Sequence, residues 1–257
     1  MKLNYREIGS GQPLIILHGL FGSSDNWQTQ AKKFAVYFRV ILVDLRNHGH
    51  SNWDSDTSYK AMASDIIELI HALNLEKIIL VGHSMGGKVA MLTTQLNTKL
   101  IDKLIVVDMG IKEYPPHHRH ILEGIHAVKL DGVSSRSEAD FELSKYIESE
   151  GVKQFLLKNL YWKEKGQLAW RMNVAVLEAS MDQILEPIPE TEVFTPTLFI
   201  RGEFSNYILD EDISDIENLF PDSQYITISQ AGHWVHAEKP DEFVDAVLGF
   251  CEIKIIR

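Results

Sequence analysis

Residues 82–86 read Gly-His-Ser-Met-Gly and lie between two segments of different periodicity. The residues before them, Lys77–Val81, form an apolar run typical of a buried strand, and a helical pattern opens at Gly87. Such an abrupt turn forces the central serine into a sparsely populated backbone conformation. Glycines are needed on both sides because a Cβ would collide with the adjoining strand or helix. The pattern predicts that Ser84 is a nucleophile whose hydroxyl is lifted above the sheet edge at a helix N-terminus.

Short apolar runs alternate with helical patterns along most of the chain. Several runs are apolar without interruption, as expected of parallel strands that are covered on both faces. The alternation predicts an α/β fold with a doubly wound, mostly parallel sheet. The predicted strands are Leu3–Ile8, Leu14–Leu17, Val40–Val43, Lys77–Val81, Leu104–Val107, Thr197–Ile200 and Gln224–Ile228. The predicted helices between them are Asp25–Tyr37, Tyr59–Leu73, Gly87–Leu96, Ile213–Leu219 and Asp241–Phe250.

The alternation stops between residues 111 and 192, where the chain reads as mostly helical. Ligands bind at the carboxyl ends of parallel strands, and this insertion begins at such an end. We therefore interpret residues 111–192 as a helical cap inserted into a core of residues 1–110 and 193–257. The alternative is that these helices only pack against the sheet. The helical segments predicted here are Glu138–Glu150, Val152–Leu160 and Gln167–Leu185.

A serine nucleophile needs a base, and the base needs an orienting carboxylate. His233 follows the last predicted strand and precedes the final helix, so its loop is expected over the strand ends near Ser84. His236, three residues further on, is the alternative, but its position favours the start of the descending chain. The chain order serine, acid, histidine therefore favours His233 as the base.

The position of the acid is unusual. In many hydrolases with this chain order the acid follows the next-to-last strand as Gly-x-x-Asp, but Arg201–Ser205 places Ser205 there. The other position is the end of the strand after Ser84, where Asp108 stands. A carboxylate that closes an apolar strand is costly unless it is paired or catalytic, although a turn or cap role is the simpler alternative. We expect Asp108 to be the acid and Ser205 to line the same site. The weaker candidates, out of register with the usual position, are Glu203, Asp210 and Asp212.

An oxyanion hole requires two preorganised backbone N–H donors. One is expected from Met85, directly after the nucleophile. The other is expected from the glycine-containing loop His18–Gly22, with Leu20 N–H as first choice and Phe21 N–H as second. His18 itself is interpreted as a brace of this loop rather than as a base.

These residues give the chain a resemblance to the α/β-hydrolase superfamily over nearly its whole length. Asn47, Asp108 and Ser205 make it similar to the YbfF-type esterases in particular. The resemblance implies a cytosolic serine carboxylesterase that forms an acyl-enzyme on Ser84 without a cofactor, with acyl-CoA thioesters as a second substrate class. The landmarks that carry the resemblance are the His18-Gly19 loop, the Asp44–Ser51 turn interpreted as scaffold, the Ser84 turn, Gly86-Gly-Lys88 and the His233 loop.

Composition restricts the partners. Lysine and arginine number 25 against 36 aspartates and glutamates, and the net charge of −11 argues against non-specific binding to nucleic acids or anionic membranes. Apolar runs are too short for a membrane span, and Met1–Arg6 does not resemble a signal peptide. The single cysteine, Cys251, fits a reducing compartment. We expect a cytoplasmic protein, monomeric or homodimeric, that acts on a small ester or thioester without inserting into membranes.

Other signals are interpreted as structural. His117–His120 lacks the partner set of a metal site and is interpreted as a solvated segment, so no metal is expected. The apolar residues Tyr161, Trp162, Trp170 and Met172 are interpreted as the core of the cap rather than as an acyl pocket. The basic residues Lys163, Lys165 and Arg171 are interpreted as a solvated face rather than as a phosphate site.

Two other function classes stay open. The same three residues could serve a C–C hydrolase, a perhydrolase or an aminopeptidase, since similar folds host many reactions. A ligand receptor with vestigial hydrolysis is the non-enzymatic alternative. A dehalogenase or epoxide hydrolase is disfavoured because those enzymes place aspartate where this chain has Ser84.

Overall fold

The computed structural model describes residues 1–116, 118–130 and 135–253. In chain order, the strands are β1 Asn4–Ile8, β2 Pro13–Leu17, β3 Arg39–Asp44, β4 Ile78–His83, β5 Ile101–Val107, β6 Leu160–Glu164, β7 Gln167–Trp170, β8 Thr197–Gly202 and β9 Ser223–Ile228. The helices are α1 Gln28–Phe34, α2 Tyr59–Ala72, α3 Met85–Leu96, α4 Arg119–Ala127, α5 Arg136–Leu143, α6 Glu150–Leu157, α7 Val174–Ala179, α8 Met181–Leu185, α9 Ile213–Leu219, α10 Val235–Glu238 and α11 Pro240–Phe250.

Seven strands form one sheet in the order β1-β3-β2-β4-β5-β8-β9. The edge strand β1 is antiparallel to β3, and the other neighbours pair in parallel. All seven strands were predicted from the sequence, with ends shifted by a few residues, so the expected α/β fold is confirmed. The chain runs outward from β2 to β3 and then returns to β4, and this reversal leaves a crevice beyond the carboxyl ends of β2 and β4.

Apolar side chains cover both faces of the sheet. In β2, Leu14 and Ile16 pack into one buried cluster, while Ile15 and Leu17 pack into the other. Successive side chains of a strand point to opposite faces, so a strand buried on both sides is apolar at every position. This arrangement explains the uninterrupted apolar runs and holds the strand ends rigidly.

Residues 111–192 differ from the helical prediction in two places. The predicted helix over Gln167–Leu185 is wrong in its first part, because β7 pairs antiparallel with β6 in a hairpin. Leu168 and Trp170 are buried while their neighbours are only partly so, which is the two-residue period of a strand. Gly166, with φ of +82°, supplies the tight turn between the strands.

The predicted helix over Glu138–Glu150 is also interrupted. The helix α5 ends at Leu143, and α6 begins at Glu150. The Ser149 side chain accepts a hydrogen bond from the Val152 N–H and so caps a new helix at the point where the pattern suggested continuity. Across the described ranges, we find no helix with the length and apolarity of a membrane span.

Candidate active site

Ser84 stands at the turn between β4 and α3. Its backbone has φ of +53° and ψ of −124°, a conformation rarely adopted by a residue with a Cβ. The Ser84 N–H donates to the Val107 carbonyl of β5 over 3.0 Å, which holds the turn against the neighbouring strand end. A Cβ on Gly82 would lie 2.1 Å from the Gly86 carbonyl oxygen, so glycine is required there as predicted.

Asp108 directly follows β5, the next strand in the sheet. It is fully buried and has φ of +49°, a left-handed conformation that aspartate tolerates better than most residues. Its Oδ2 atom lies 2.7 Å from His233 Nδ1 and also accepts a hydrogen bond from the Ser205 hydroxyl. Its Oδ1 atom accepts from the Gly202 N–H over 3.1 Å. The structure therefore brings Asp108, Ser205 and His233 together.

The environment of Asp108 acts on its charge in two directions. Burial raises the pKa of this carboxyl to about 6, while the hydrogen bonds from Ser205 and Gly202 oppose the rise. The carboxylate is therefore mostly ionised at neutral pH. An ionised carboxylate only accepts hydrogen bonds, so the His233 Nδ1 atom must carry the donated proton. This tautomer leaves the Nε2 atom of His233 free of its proton and able to act as a base.

The imidazole of His233 is held between two aromatic rings. Tyr207 stacks on it with ring centroids 4.0 Å apart and an interplanar angle of 17°. On another side the His83 ring lies 4.7 Å away, and His83 Nε2 donates to the His233 carbonyl over 2.9 Å. Burial lowers the pKa of His83 to about 3, so it adds no charge beside His233. Sequence analysis did not predict that Tyr207 belongs to the site. The available signal was an aromatic residue two positions after Ser205.

The alternative base His236 lies elsewhere. Its ring stacks on Trp27 at 3.9 Å, and its carbonyl accepts a hydrogen bond from the Gln30 side chain. Burial holds the pKa of His236 well below its usual range, as expected for a neutral core histidine. The structure brings His233, and not His236, to Asp108.

The three alternative acids have other partners. Glu203 accepts a hydrogen bond from the Gln230 N–H over 2.7 Å. Asp210 pairs with Arg201 at 2.6 Å, and Asp212 accepts from Lys112 at 2.7 Å. In the described parts of the chain, none of the three bonds to a histidine.

Of the two candidate oxyanion donors in the loop after β2, Leu20 N–H and Phe21 N–H, only one is available. The Phe21 N–H donates to His48 Nε2 over 3.2 Å, so it is already used. Burial lowers the pKa of His48 to about 3, which keeps this nitrogen an acceptor. Leu20 N–H has no acceptor among the residues described. Met85 is the first residue of α3, where an N–H has no partner within the helix. The geometry therefore favours Leu20 over Phe21.

His18 braces this loop, as interpreted from the sequence. Its Nε2 accepts from the Leu45 N–H over 3.1 Å, and its Nδ1 donates to the Gly19 carbonyl over 2.8 Å. Asp44 in the following turn accepts from the Ser24 and His50 N–H groups. These contacts fix loop geometry without reaching Ser84.

A cavity of about 280 Å³ opens above Ser84 and His233. Its apolar wall comes largely from α4 and α6, which contribute Ile121, Val152, Phe155 and Leu156. Ser84 thus faces a space that is mainly hydrophobic and is partly closed by the segment between β5 and β8. This composition suits an apolar group attached to the reacting carbonyl.

A much smaller recess lies beside the same serine. It measures about 10 Å³ and is lined by Leu20, Ser84 and Met85 together with Ile184 and Leu185 from α8. A cavity of this size has room for roughly one water-sized group. Leu20 and Met85, whose N–H groups are the predicted oxyanion donors, therefore line a space with room for about one oxygen atom.

His118 and His120 line the larger cavity, and His120 is exposed as expected of a solvated segment. His117 lies outside the described residues. The assignment of Trp162 to the core needs correction. Trp162 is 49% exposed and so does not belong to the core, unlike Trp170 and Met172. Lys163 and Lys165 are exposed as predicted. No cluster of three or more potential metal ligands occurs in the residues that the structure describes.

The sequence was compared with known families and proteins. A family model described as alpha/beta hydrolase fold matches residues 12–143. The chain belongs to the α/β-hydrolase family. A putative esterase/lipase from Haemophilus influenzae is 42% identical over 238 residues, which cover 92% of this chain and 82% of the relative.

Esterase YbfF from Escherichia coli is 38% identical over 255 residues, which cover 96% of this chain and 98% of the relative. Among solved structures, a marine microorganism esterase has a TM-score of 0.94 and 41% identity, with 97% of this chain and 99% of that chain covered. The resemblance to YbfF-type esterases is therefore confirmed.

Proposed function

We propose that this protein hydrolyses carboxylic esters through an acyl-enzyme on Ser84. The observation that carries the proposal is the 2.7 Å contact between Asp108 and His233 beside a serine held on a strained turn, with both His233 and Ser84 in one cavity. A buried carboxylate that orients a histidine near a hydroxyl is the arrangement that activates a weak nucleophile. The esterase names of the relatives support the ester as the substrate class.

In the first step, the Ser84 Oγ atom bonds to the ester carbonyl carbon while His233 Nε2 takes its proton. Asp108 stabilises the imidazolium that forms. The carbonyl oxygen gains the negative charge and receives the N–H groups of Leu20 and Met85. The carbon–oxygen bond to the alcohol then breaks, and His233 returns the proton to the departing oxygen.

In the second step, water replaces the alcohol. His233 removes a proton from the water as its oxygen attacks the acyl carbon, and the bond to Ser84 Oγ breaks with return of that proton to Ser84. The acid leaves and the resting state is restored. Ser205 and Tyr207 contribute by holding Asp108 and the His233 ring in place.

Residues 111–192 act as a cap in this proposal, over a core of residues 1–110 and 193–257. Its helices α4 and α6 wall the larger cavity and give the acyl group an apolar environment. At about 280 Å³ the cavity is near the small end of the range for ligand sites, which favours acyl chains of short to medium length. A cytoplasmic location and a monomeric or homodimeric state stay predictions from the sequence.

Labelling with a fluorophosphonate, followed by mapping of the adduct, tests the nucleophile. p-Nitrophenyl esters from acetate to palmitate, together with acetyl-CoA, test the substrate class and chain length. We expect an adduct on Ser84 and ester turnover that is lost in Ser84→Ala. The matched control is Ser223→Ala. The Ser223 hydroxyl contacts the Tyr225 hydroxyl at the start of β9 and does not line the cavity. Unchanged hydrolysis by Ser84→Ala would contradict the mechanism, and absence of both label and turnover would favour the receptor alternative.

A further inference from the structure

Lys88 is a fully buried lysine one helical turn after Ser84. It lies in α3, and its residue exposes no surface to solvent. A lysine is almost never fully buried unless its ammonium has partners. The triad chemistry proposed above gives this side chain no part. Its burial beside the nucleophile therefore calls for another explanation.

The partners of the Lys88 ammonium are carbonyls and aromatic rings. Its Nζ donates to the Leu185 carbonyl over 3.3 Å and also to the Glu186 carbonyl. The Tyr114 and Tyr59 ring centroids lie 4.9 and 5.7 Å from Nζ, within the range of cation–π attraction. In the described residues no carboxylate lies within ion-pair distance of it.

The carbonyls that Lys88 holds are at the end of α8. The last carbonyls of a helix have no partner within the helix, so an ammonium placed there supplies hydrogen bonds that the helix itself cannot. Two further contacts fix the same chain segment. Tyr59 Oη donates to the Ile184 carbonyl over 2.6 Å, and the Tyr114 N–H donates to the Leu185 carbonyl over 3.0 Å.

This helix end is one wall of the recess beside Ser84. Ile184 and Leu185 line the 10 Å³ space together with Leu20 and Met85. Lys88 and Ser84 are carried by the same rigid helix start, since Ser84 precedes α3 directly. A single ammonium thus ties the helix that follows the nucleophile to the end of α8, which lines the space in which the carbonyl oxygen would gain its charge.

We propose that Lys88 is a positioning residue that fixes α8 against α3 and thereby sets the size of the oxyanion recess. The inference rests on the proposed function, because the oxyanion forms only if Ser84 attacks a carbonyl. A recess matched to one oxygen leaves no room for additional water beside the carbonyl oxygen and holds the two N–H donors at their working distance. If the end of α8 is held less firmly, the contacts that form fully only in the transition state become weaker. We therefore expect kcat to decrease while KM changes little.

The variant Lys88→Met removes the ammonium and keeps most of the side-chain volume. We expect kcat with p-nitrophenyl butyrate to fall by about 10- to 100-fold, the loss typical of a small misplacement in a catalytic site. The control is Lys103→Met. Lys103 Nζ also donates to a helix-end carbonyl, that of Phe250 at 2.8 Å, and lies 5.0 Å from the Phe250 ring. Because this contact is at the end of α11 and outside the cavity, we expect an unchanged kcat.

A pH profile separates positioning from general stability. Burial lowers the pKa of Lys88 to about 8, with the carboxylates of Glu113 and Glu186 opposing the fall. The phenols that face it, Tyr59 and Tyr114, have pKa values raised far above this range by burial. The kcat of the wild-type protein is therefore expected to fall above about pH 8, as the ammonium loses its proton and its hold on α8. Lys88→Met should lack this alkaline limb.

The variant Tyr59→Phe provides a second test if Lys88→Met does not fold. It deletes only the hydroxyl that holds the Ile184 carbonyl. We expect kcat to decrease by about three- to tenfold with little change of KM, because this variant removes one of the contacts that hold the end of α8.

The outcomes are distinct. A folded Lys88→Met protein with wild-type kcat and an intact alkaline limb overturns the inference while leaving the esterase proposal standing. If that variant is unfolded, a wild-type kcat in Tyr59→Phe together with a flat alkaline profile of the wild type overturns it. A wild-type protein that hydrolyses no ester overturns the proposed function and this inference with it.

Discussion

The carboxyl ends of β5 and β8 present an instructive comparison. The two strands are parallel neighbours, with Val107 paired to Ile200, so their ends lie side by side. β5 ends in the carboxylate of Asp108, and the loop after β8 brings the hydroxyl of Ser205 to the same carboxylate. The position that more often holds the acid thus holds a donor to the acid. A catalytic group is defined by its place in space, and neighbouring strand ends can exchange roles.

The two ends also differ in their backbones. Asp108 has a left-handed conformation, φ +49°, whereas Ser205 has an ordinary negative φ. The strain at Asp108 turns its side chain back toward His233 directly after the strand. Ser205 reaches the site from a loop without such strain. The ends of β5 and β8 therefore differ in their side chains, a carboxylate and a hydroxyl. They also differ in backbone energy, because only Asp108 has a strained conformation.

The largest effect is expected from Asp108→Asn. The amide cannot stabilise the imidazolium and disfavours the required tautomer of His233, so kcat should fall by about 10⁴-fold. Asp210→Asn is the control, because Asp210 pairs with Arg201 on the surface. Steady-state hydrolysis of p-nitrophenyl butyrate measures both. Retention of most of the rate in Asp108→Asn, with loss in Asp210→Asn, would mean that the acid is misassigned.

An exchange of the two side chains tests whether the strand ends are interchangeable. Asp108→Ser alone should cost about as much as Asp108→Asn. Adding Ser205→Asp restores a carboxylate within reach of His233, and we expect the double variant to recover roughly 10- to 100-fold of the loss. The Ser205→Asp single variant controls for effects of the new charge. A double variant no faster than Asp108→Ser would show that only the β5 end can serve.

Ser205→Ala should have a smaller effect that depends on pH. The Ser205 hydroxyl opposes the rise of the Asp108 pKa, so its removal should move that pKa further above 6. Catalysis needs the ionised carboxylate, and the rate falls as pH decreases through this pKa. The acid limb of kcat should therefore shift to higher pH, with a loss of about threefold on the plateau. An unshifted limb in Ser205→Ala, with Ser223→Ala as control, would argue against this contact.

Sequence reasoning was most successful where the sheet determines position. Ser84, Asp108 and His233 each come after a strand of the parallel sheet, and the common edge of such a sheet makes these residues neighbours. It was less successful in residues 111–192, where strand β7 was predicted as part of a helix. The roles of Tyr207 and Lys88 were not predicted, for a related reason. Their roles depend on which loop or helix end packs against them, and no local pattern encodes that packing.

The smallest predicted effect concerns the backbone difference between the two ends. At Asp108, glycine relieves a left-handed strain that alanine retains, so Asp108→Gly should be more stable than Asp108→Ala by about 1 kcal/mol. At Ser205 the order should reverse, because glycine there only adds freedom to the unfolded chain and costs about 0.5–1 kcal/mol relative to alanine. Urea unfolding of the four variants at 25 °C gives both differences. Alanine more stable than glycine at both positions would mean that Asp108 stores no strain, and that its carboxylate alone distinguishes the end of β5 from the end of β8.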